Sequence, residues 1–217
     1  MREAARAAER NSSGAADMLA HRAGCLVVAS TLVLATIGFC YGAPTNGASP
    51  GQGSSRWSWL GENGGTYWYV PQENLEAIMW QTAAPANYAP IEDQTVWHIE
   101  SFANGYLFGP LVVKFAGYPP LCQYMIGSVT PSGSVYISFN AVQTIPHGSP
   151  SITTGTGDMV KQAGAWTFNM QMASGSSETQ ISHWAFMQQC TASQPCWSDL
   201  PGPEQSLPAF LAQCGYS

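Results

Sequence analysis

His98 and Glu100 are the two residues whose types and spacing could do chemistry. They stand two positions apart in TVWHIESFANGYLFGPLVVKF, residues 95–115, a segment rich in β-branched and aromatic residues. Alternate residues of a strand point to the same face, so we expect the two side chains about 7 Å apart on one face. In an apolar interior a carboxyl group can act as a general acid or base, with His98 orienting a substrate or completing the proton transfer.

The turn at Asn104-Gly105 predicts which residues of the two strands face each other. A type I′ turn requires positive φ at both central positions, which Asn and Gly tolerate, so Ala103 is expected opposite Tyr106. Counting outward, the face that carries the histidine and the carboxylate also carries Val96, Phe102, Leu107, Gly109, Leu111 and Val113. Such apolar neighbours favour an interior position, and the glycine would leave room for a ligand. A solvated face is the alternative.

Further candidate ligand contacts come from a second histidine and from the tryptophans. His183 lies in QISHWAFMQQ, residues 180–189, where the alternative is a core histidine with satisfied hydrogen bonds. All eight tryptophans lie between residues 57 and 197, and those that exceed the needs of a core commonly line a pocket. The predicted ligand-binding residues are Trp68, Trp97, Tyr106, Trp166, His183 and Trp184.

Motifs of common enzymes are absent from the sequence, which contains no G-x-S-x-G, no H-E-x-x-H and no P-loop. The glycine-rich residues 154–157 lack the lysine and helix of a phosphate-binding site, and we expect a flexible loop there. His98, Glu100 and His183 could bind a metal only if their strands came together, so we predict neither a metal nor a cofactor. Isomerisation, cyclisation or hydration would suit the acid–base pair better than acyl transfer, because no nucleophile is paired with a base.

Strand signals recur along the chain with turn signals between them, as in an antiparallel meander. The predicted strands are residues 66–70, 75–81, 95–103, 106–115, 121–129, 134–140, 156–162, 165–173 and 179–189, and the second also fits a short helix. We predict an all-β fold, an up-and-down barrel of eight or nine strands, because closure leaves no exposed edge; a two-sheet sandwich is the alternative. Ser206 can cap a short C-terminal helix with Pro208 in its first turn.

Residues 1–43 predict export. The apolar run at residues 25–40 is shorter than a membrane span and suits the core of a signal peptide, preferably with a start at Met18; a single uncleaved anchor helix is the alternative. Residues 44–56 form a Gly/Ser-rich linker, and residues 57–217 have the size of one domain. We therefore expect a secreted or periplasmic protein without membrane contact once the signal is removed.

The charge of the chain argues against nucleic acid as a partner. From residue 56 onward the basic residues are Arg56, Lys114 and Lys161, against ten Asp and Glu. Neutralising phosphates requires Lys and Arg, so neither nucleic acid nor an anionic lipid surface is expected to bind.

Four cysteines follow the signal, an even number that is typical of disulfides in an exported chain. Three pairings are open. Proximity favours Cys190 with Cys196, which leaves Cys122 for Cys214 and would tie a C-terminal segment onto the sheet.

The segment GGTYWYV, residues 64–70, resembles the Gly/Trp-rich first strand of the calycin group, the lipocalins and avidins. Lipocalins begin with Gly-x-Trp, whereas Gly65 and Trp68 are one residue further apart. The hairpin sequences NGYLFG and GSVTPSG also resemble exported bacterial proteins of uncharacterised function. These resemblances imply a barrel architecture, and function must come from the site.

Export, the aromatic content and the missing catalytic motifs together favour one function. We predict a barrel that binds a small apolar or aromatic molecule in a cavity lined by tryptophans. The alternatives are a barrel enzyme with isomerase, cyclase or hydratase chemistry and an exported protein-interaction module. The oligomeric state stays open.

Overall fold

The computed structural model describes residues 55–141, 152–202 and 205–216. The predicted export segment and nearly all of the linker lie outside these ranges. Export, a secreted or periplasmic location and the domain limits therefore stay predictions. In the described ranges no helix is both long and apolar enough to cross a membrane.

Ten antiparallel strands form one sheet. They are β1 (Thr66–Tyr69), β2 (Glu76–Gln81), β3 (Ala84–Ile99), β4 (Ser101–Ala103), β5 (Tyr106–Phe115), β6 (Leu121–Val129), β7 (Ser134–Ala141), β8 (Ile152–Gln162), β9 (Ala165–Gly175) and β10 (Thr179–Cys190). The 3₁₀ helices Ser55–Gly61 and Gln72–Asn74 flank β1, and the short helices α1 (Pro195–Ser198) and α2 (Leu207–Ala212) follow β10.

The main difference from the predicted strands is the length of β3, which starts at Ala84 instead of residue 95. Pro85 and Pro90 lie in the added part, and proline cannot donate to a ladder. Both prolines precede Asp93, where pairing with β5 begins, so this part of β3 pairs with β2 alone. The edge of this part that faces away from β2 therefore needs no N–H donors, and prolines are tolerated there.

The sheet closes into a barrel because β3 pairs along both of its edges. One edge pairs with β5, and the other pairs with β1 and β2, which both pair with β10. β1 and β2 thus share one strand position, interrupted by the 3₁₀ helix Gln72–Asn74, and β4 continues β3. The barrel has eight strand positions, which confirms the predicted up-and-down architecture and excludes the sandwich.

The 3₁₀ helix Ser55–Gly61 fills one end of the barrel, called here the closed end. Trp57 and Leu60 are fully buried, and the indole N–H of Trp57 donates to the carbonyl of Thr130 at 2.9 Å. Trp57 also meets Trp166 edge-on, with 5.0 Å between ring centres. The β2–β3 hairpin and the β5–β6 turn mark the opposite end, called here the open end.

A β-bulge at Glu100 changes the predicted register of the first hairpin. The turn pairs as expected as far as Ser101, which lies opposite Phe108. The backbone N–H of Glu100 also donates to the carbonyl of Phe108 at 2.9 Å, so two residues of one strand oppose one residue of the other. Beyond the bulge, Trp97 lies opposite Leu111, one position from where uninterrupted counting places it.

The interior face predicted for His98 and Glu100 is therefore wrong. A slip of one residue moves a strand's whole set of side chains to the other face. Trp97 and Ile99 belong to the barrel core, His98 is buried on the outer wall, and Glu100 is exposed. Gly109 leaves no room for a ligand, because a Cβ there would collide with the backbone carbonyl of His98. Glycine at this position accommodates the bulged backbone.

The glycine-rich residues 154–157 are part of β8 and not the loop that we expected. Gly155 lies opposite Met172 of β9, and Gly157 lies opposite Met170. A Cβ on either glycine would crowd a methionine side chain. The glycines therefore make space for the core rather than for a phosphate.

A second hydrophobic core lies between the outer wall and the C-terminal segment. Its buried members are Val96, Val112, Cys190, Cys196, Leu200, Leu207, Phe210 and Leu211. Disulfides join Cys122 to Cys214 and Cys190 to Cys196, the two pairs that the sequence favoured. Ser206 caps α2 as predicted, because its hydroxyl oxygen accepts a backbone N–H at 3.3 Å. The C-terminal segment is thus fixed to the barrel wall by both packing and covalent bonds.

The two disulfides should differ in their effect on stability. They join residues separated by 92 and 6 positions, for which loop entropy predicts about 4 to 5 kcal/mol and about 2 kcal/mol respectively. We expect the double variant Cys122→Ser/Cys214→Ser to lose about 2 kcal/mol more free energy of unfolding than Cys190→Ser/Cys196→Ser. Urea unfolding followed by tryptophan fluorescence measures both. Equal losses would show that loop closure is not the main source of the stabilisation.

Candidate functional site

A cavity lies inside the barrel toward its open end. The space open to the centre of a water molecule is about 30 Å³, enough for about two waters. Its apolar lining comes from Leu111, Val113, Phe115, Leu121, Phe139, Met172 and Ile181. Its polar lining comes from Asp93, Thr95, Gln123, Thr153, Ser174 and His183. The cavity therefore combines an apolar wall with a few convergent polar groups.

Asp93 and His183 form a buried ion pair in this lining. Nδ1 of His183 lies 2.8 Å from a carboxylate oxygen of Asp93, and neither side chain is more than 5% exposed. The other carboxylate oxygen accepts the hydroxyl of Thr95 at 2.8 Å. Nε2 of His183 lies 2.7 Å from the carbonyl of Asn74. The ion pair thus joins β3, β10 and the 3₁₀ helix that interrupts the first strand position.

Both ring nitrogens of His183 face hydrogen-bond acceptors. A neutral imidazole has one N–H and satisfies one acceptor, whereas the imidazolium donates to both. Burial lowers the pKa of His183, but the hydrogen bond and charge of Asp93, together with the hydrogen bond to Asn74, outweigh burial and raise the pKa above its ordinary value of 6.5. Geometry and electrostatics therefore agree on a charged His183 paired with a carboxylate.

Two other polar groups of the cavity have unused hydrogen-bonding capacity. The hydroxyl of Thr153 donates to that of Ser174 at 2.8 Å, which leaves the Ser174 proton without an acceptor in the described part of the chain. Gln123 is only 3% exposed, yet its side-chain amide makes no hydrogen bond to any described residue. Among the described residues, both groups therefore keep hydrogen-bonding capacity for a small molecule.

A groove of about 520 Å³ adjoins the cavity at the open end of the barrel. Phe115 and Ile181 line both spaces and therefore stand between them. Met79, Trp80 and Tyr118 give the groove further apolar and aromatic surface. Among the described residues that line it, none is Asp, Glu, Lys, Arg or His.

His98 is placed on the outer wall, away from the cavity. Its ring stacks on Tyr67 with 4.1 Å between ring centres, and Nε2 donates to the carbonyl of Gly64 at 3.0 Å. Nδ1 is buried and has no hydrogen-bond partner within the described ranges. Tyr67 in turn meets Trp197 of α1 edge-on. His98 therefore takes part in the packing between the barrel and the C-terminal segment.

Glu100 is exposed at the bulge, where the hydroxyl of Tyr124 donates to its carboxylate at 3.2 Å. Burial, followed by the charge of Glu100 and this hydrogen bond, raises the pKa of Tyr124. Neither Glu100 nor His98 lines the cavity. The acid–base role predicted for them required an enclosed site, so it does not enter our proposal.

The tryptophans predicted to bind a ligand mostly fill the barrel. Trp68 and Trp97 are fully buried in the core. Trp97 lies beside the cavity, since its ring meets that of Phe139 with 5.7 Å between centres. Trp166 packs against Trp57 at the closed end. These side chains close off the barrel below the cavity and do not line it.

The other predicted contacts are split between the outer wall and the cavity. Tyr106 and Trp184 are 54% and 56% exposed on the outside of the barrel. His183 lines the cavity, although both of its ring nitrogens already have protein partners, as in the alternative of a core histidine with satisfied hydrogen bonds. The structure thus brings one of the six predicted ligand contacts into the candidate site.

Sequence reasoning missed Asp93, Thr95 and Gln123 as cavity residues. Asp93 lies outside the predicted strand, but the alternation of Asp93, Thr95 and Trp97 is the pattern of a strand face, and extending that face by two positions reaches the carboxylate. Gln123 occupies an inward position of β6 between Leu121 and Met125. A polar side chain on an otherwise apolar strand face was the available signal.

No protein-family model matches this chain, and no curated protein matches it significantly. One solved structure, described as EF1p2_mFAP2b bound to DFHBI, is similar over 63% of this chain and 97% of its own, with 12% sequence identity and a TM-score of 0.39. A similarity at that level carries no argument about family or ligand. What the structure itself defines is a closed antiparallel barrel of eight strand positions, and the calycin resemblance stays a prediction.

The charged state of His183 should make stability depend on pH. Its folded-state pKa is raised above the ordinary value of 6.5, so its contribution is complete below that value and is lost as pH rises through the folded-state pKa. We expect the free energy of unfolding to fall as the pH rises above 6.5, and His183→Gln to remove this component. His98→Gln, measured alongside, shows how much of the slope comes from the other histidine in the described ranges. A slope unchanged in His183→Gln would contradict the assignment.

Proposed function

We propose that the protein binds a small, largely apolar or aromatic molecule at the open end of the barrel. The observation that carries this proposal is the contact between the groove and the inner cavity, which share Phe115 and Ile181. The apolar body of the ligand lies in the groove, against Met79, Trp80 and Tyr118, and its tip reaches the cavity. The groove has the size of common small-molecule sites, roughly 300 to 1,000 Å³.

The chemistry of the cavity supports binding over catalysis. His183 donates both of its ring protons to protein acceptors, and Asp93 accepts from His183 and Thr95. A general acid or base must reach the proton that it transfers on the substrate. Here proton exchange with a ligand would first break contacts that hold the barrel wall, which counts against isomerase, cyclase or hydratase chemistry at this site.

The outer wall gives less support to a protein-interaction module. Tyr106, Ser128 and Tyr136 lie side by side on three adjacent strands. The two tyrosines are 54% exposed, and Ile126, two residues from Ser128 on the same face of β6, is 47% exposed. Contiguous apolar patches mark interaction surfaces, so this face is the second candidate. The cavity favours small-molecule binding instead, because it adds convergent polar groups to an apolar wall.

Export to an oxidising compartment belongs to the same proposal. Both disulfides lie in the part of the chain that the structure describes, and such bonds persist in secreted and periplasmic proteins but are rare in the cytosol. The partner is then a small molecule met outside the cytoplasm.

Substitution of Ile181 tests the position of the site. Ile181→Glu puts a carboxylate between the groove and the cavity, and burying a charge without a partner is costly. We expect affinity for apolar and aromatic ligands to fall at least about tenfold. Ile126→Glu is the matched control, because Ile126 is 47% exposed on the outer wall.

Tryptophan fluorescence reports ligand binding in the same experiment. Trp80 lines the groove, so ligands should change the tryptophan fluorescence of the wild type, and Trp80→Phe should remove most of that change. Trp184→Phe, on the exposed outer wall, should keep it. If Ile181→Glu and Ile126→Glu bind equally well, the ligand does not occupy this site. If no ligand of a broad apolar panel binds the wild type, the function is not small-molecule binding.

A further inference from the structure

The cavity has the chemistry to select the ligand's head group. We propose that it binds a neutral head group which both donates and accepts hydrogen bonds, such as a carboxamide or a lactam, and that Gln123 is the residue that recognises it. This inference rests on the proposed function, since it assigns the ligand class of the same site.

The charged residues of the cavity are paired with each other. Asp93 and His183 are the only described cavity residues of the Asp, Glu, Lys, Arg and His types, and they neutralise each other at 2.8 Å. The described lining of the groove has none of these residue types. A charged head group would lose its hydration without meeting a free countercharge, and that loss is costly in an apolar cavity. The lining therefore favours an uncharged ligand.

The hydrogen bonds of the cavity point to Gln123. The ion pair is already satisfied by Thr95 and by the carbonyl of Asn74. The amide of Gln123 lines the cavity with two N–H donors and one carbonyl acceptor, and none of them is used within the described residues. A guest that pairs with both ends of this amide gains hydrogen bonds that the described residues do not supply.

The two polar groups with unused capacity lie on separate strands of the cavity wall. Gln123 is on β6 and Ser174 is on β9, three strand positions apart in a barrel of eight. They therefore face the cavity from different walls. A head group between them accepts from the Ser174 hydroxyl while it exchanges hydrogen bonds with the Gln123 amide. A carboxamide has the acceptor and donor that this arrangement needs, whereas a hydrocarbon has neither.

Four compounds with the same ring system separate the possibilities: naphthalene, 2-naphthamide, 2-naphthoate and 2-naphthylmethylamine. They supply no head group, a neutral amide, an anion and a cation. Equilibrium dialysis against the full chain measures each affinity. We expect 2-naphthamide to bind at least about tenfold more tightly than the other three. Gln123→Leu should bring the amide to within about twofold of naphthalene, because only the amide uses the lost group.

Gln171→Leu is the matched control, because Gln171 is exposed on β9, and it should keep the wild-type preference. Gln123→Glu retains the size of the side chain and provides a second variant should the leucine variant not fold. This variant should shift the binding preference from the amide to the cation.

Naphthalene or 2-naphthoate binding as tightly as 2-naphthamide to the wild type overturns this inference and leaves the proposed function standing. Binding of none of the four compounds overturns this inference, and the broad apolar panel then decides the proposed function separately.

Discussion

Closure of the barrel depends on the seam where β3 and β10 meet the interrupted first strand position. Between β1 and β2 the backbone leaves the ladder, so its polar groups need other partners. Two of them are backbone bonds to β3, from the N–H of Val70 to the carbonyl of Thr95 and from the N–H of Asp93 to the carbonyl of Leu75. Side chains add two more: Nε2 of His183 donates to the carbonyl of Asn74 at 2.7 Å, and the side-chain amide of Gln94 donates to the carbonyl of Val70 at 3.2 Å. Backbone and side-chain hydrogen bonds together therefore hold the seam.

The same ion pair that closes the seam also sets the character of the cavity. Burying Asp93 or His183 alone would be strongly unfavourable, and the pair is tolerated because each partner has further hydrogen bonds to Thr95 or to Asn74. Those bonds occupy the charged groups. The charged groups of the cavity thus support the barrel, whereas Gln123 and Ser174 keep hydrogen-bonding capacity for a ligand. For this reason the chemistry of the cavity suits ligand recognition better than proton transfer.

Local sequence signals predicted most of the strands and the closed architecture. Contacts between residues far apart in the sequence could not be predicted from such signals. The Asn104-Gly105 turn has the expected pairing because its conformation depends on two residues. The bulge at Glu100 depends on how β3 and β5 fit together, and it placed His98 on the outer wall. Asp93 and His183 are 90 residues apart, and only closure of the sheet brings them together, so no local pattern could pair them.

The division of the barrel interior along its axis explains how a cavity can persist in so narrow a fold. An eight-stranded barrel has an interior that side chains can just fill. Toward the closed end they do fill it: Trp68 meets Phe168 with 4.5 Å between ring centres, and Trp57 packs against Trp166. Toward the open end Thr153, Ser174 and Gln123 take inward positions where larger apolar side chains would close the space. Because the aromatic half holds the strands at a fixed separation, the polar half need not collapse to stabilise the fold. Its amide and hydroxyl, which have unused hydrogen-bonding capacity among the described residues, then stay available to a ligand.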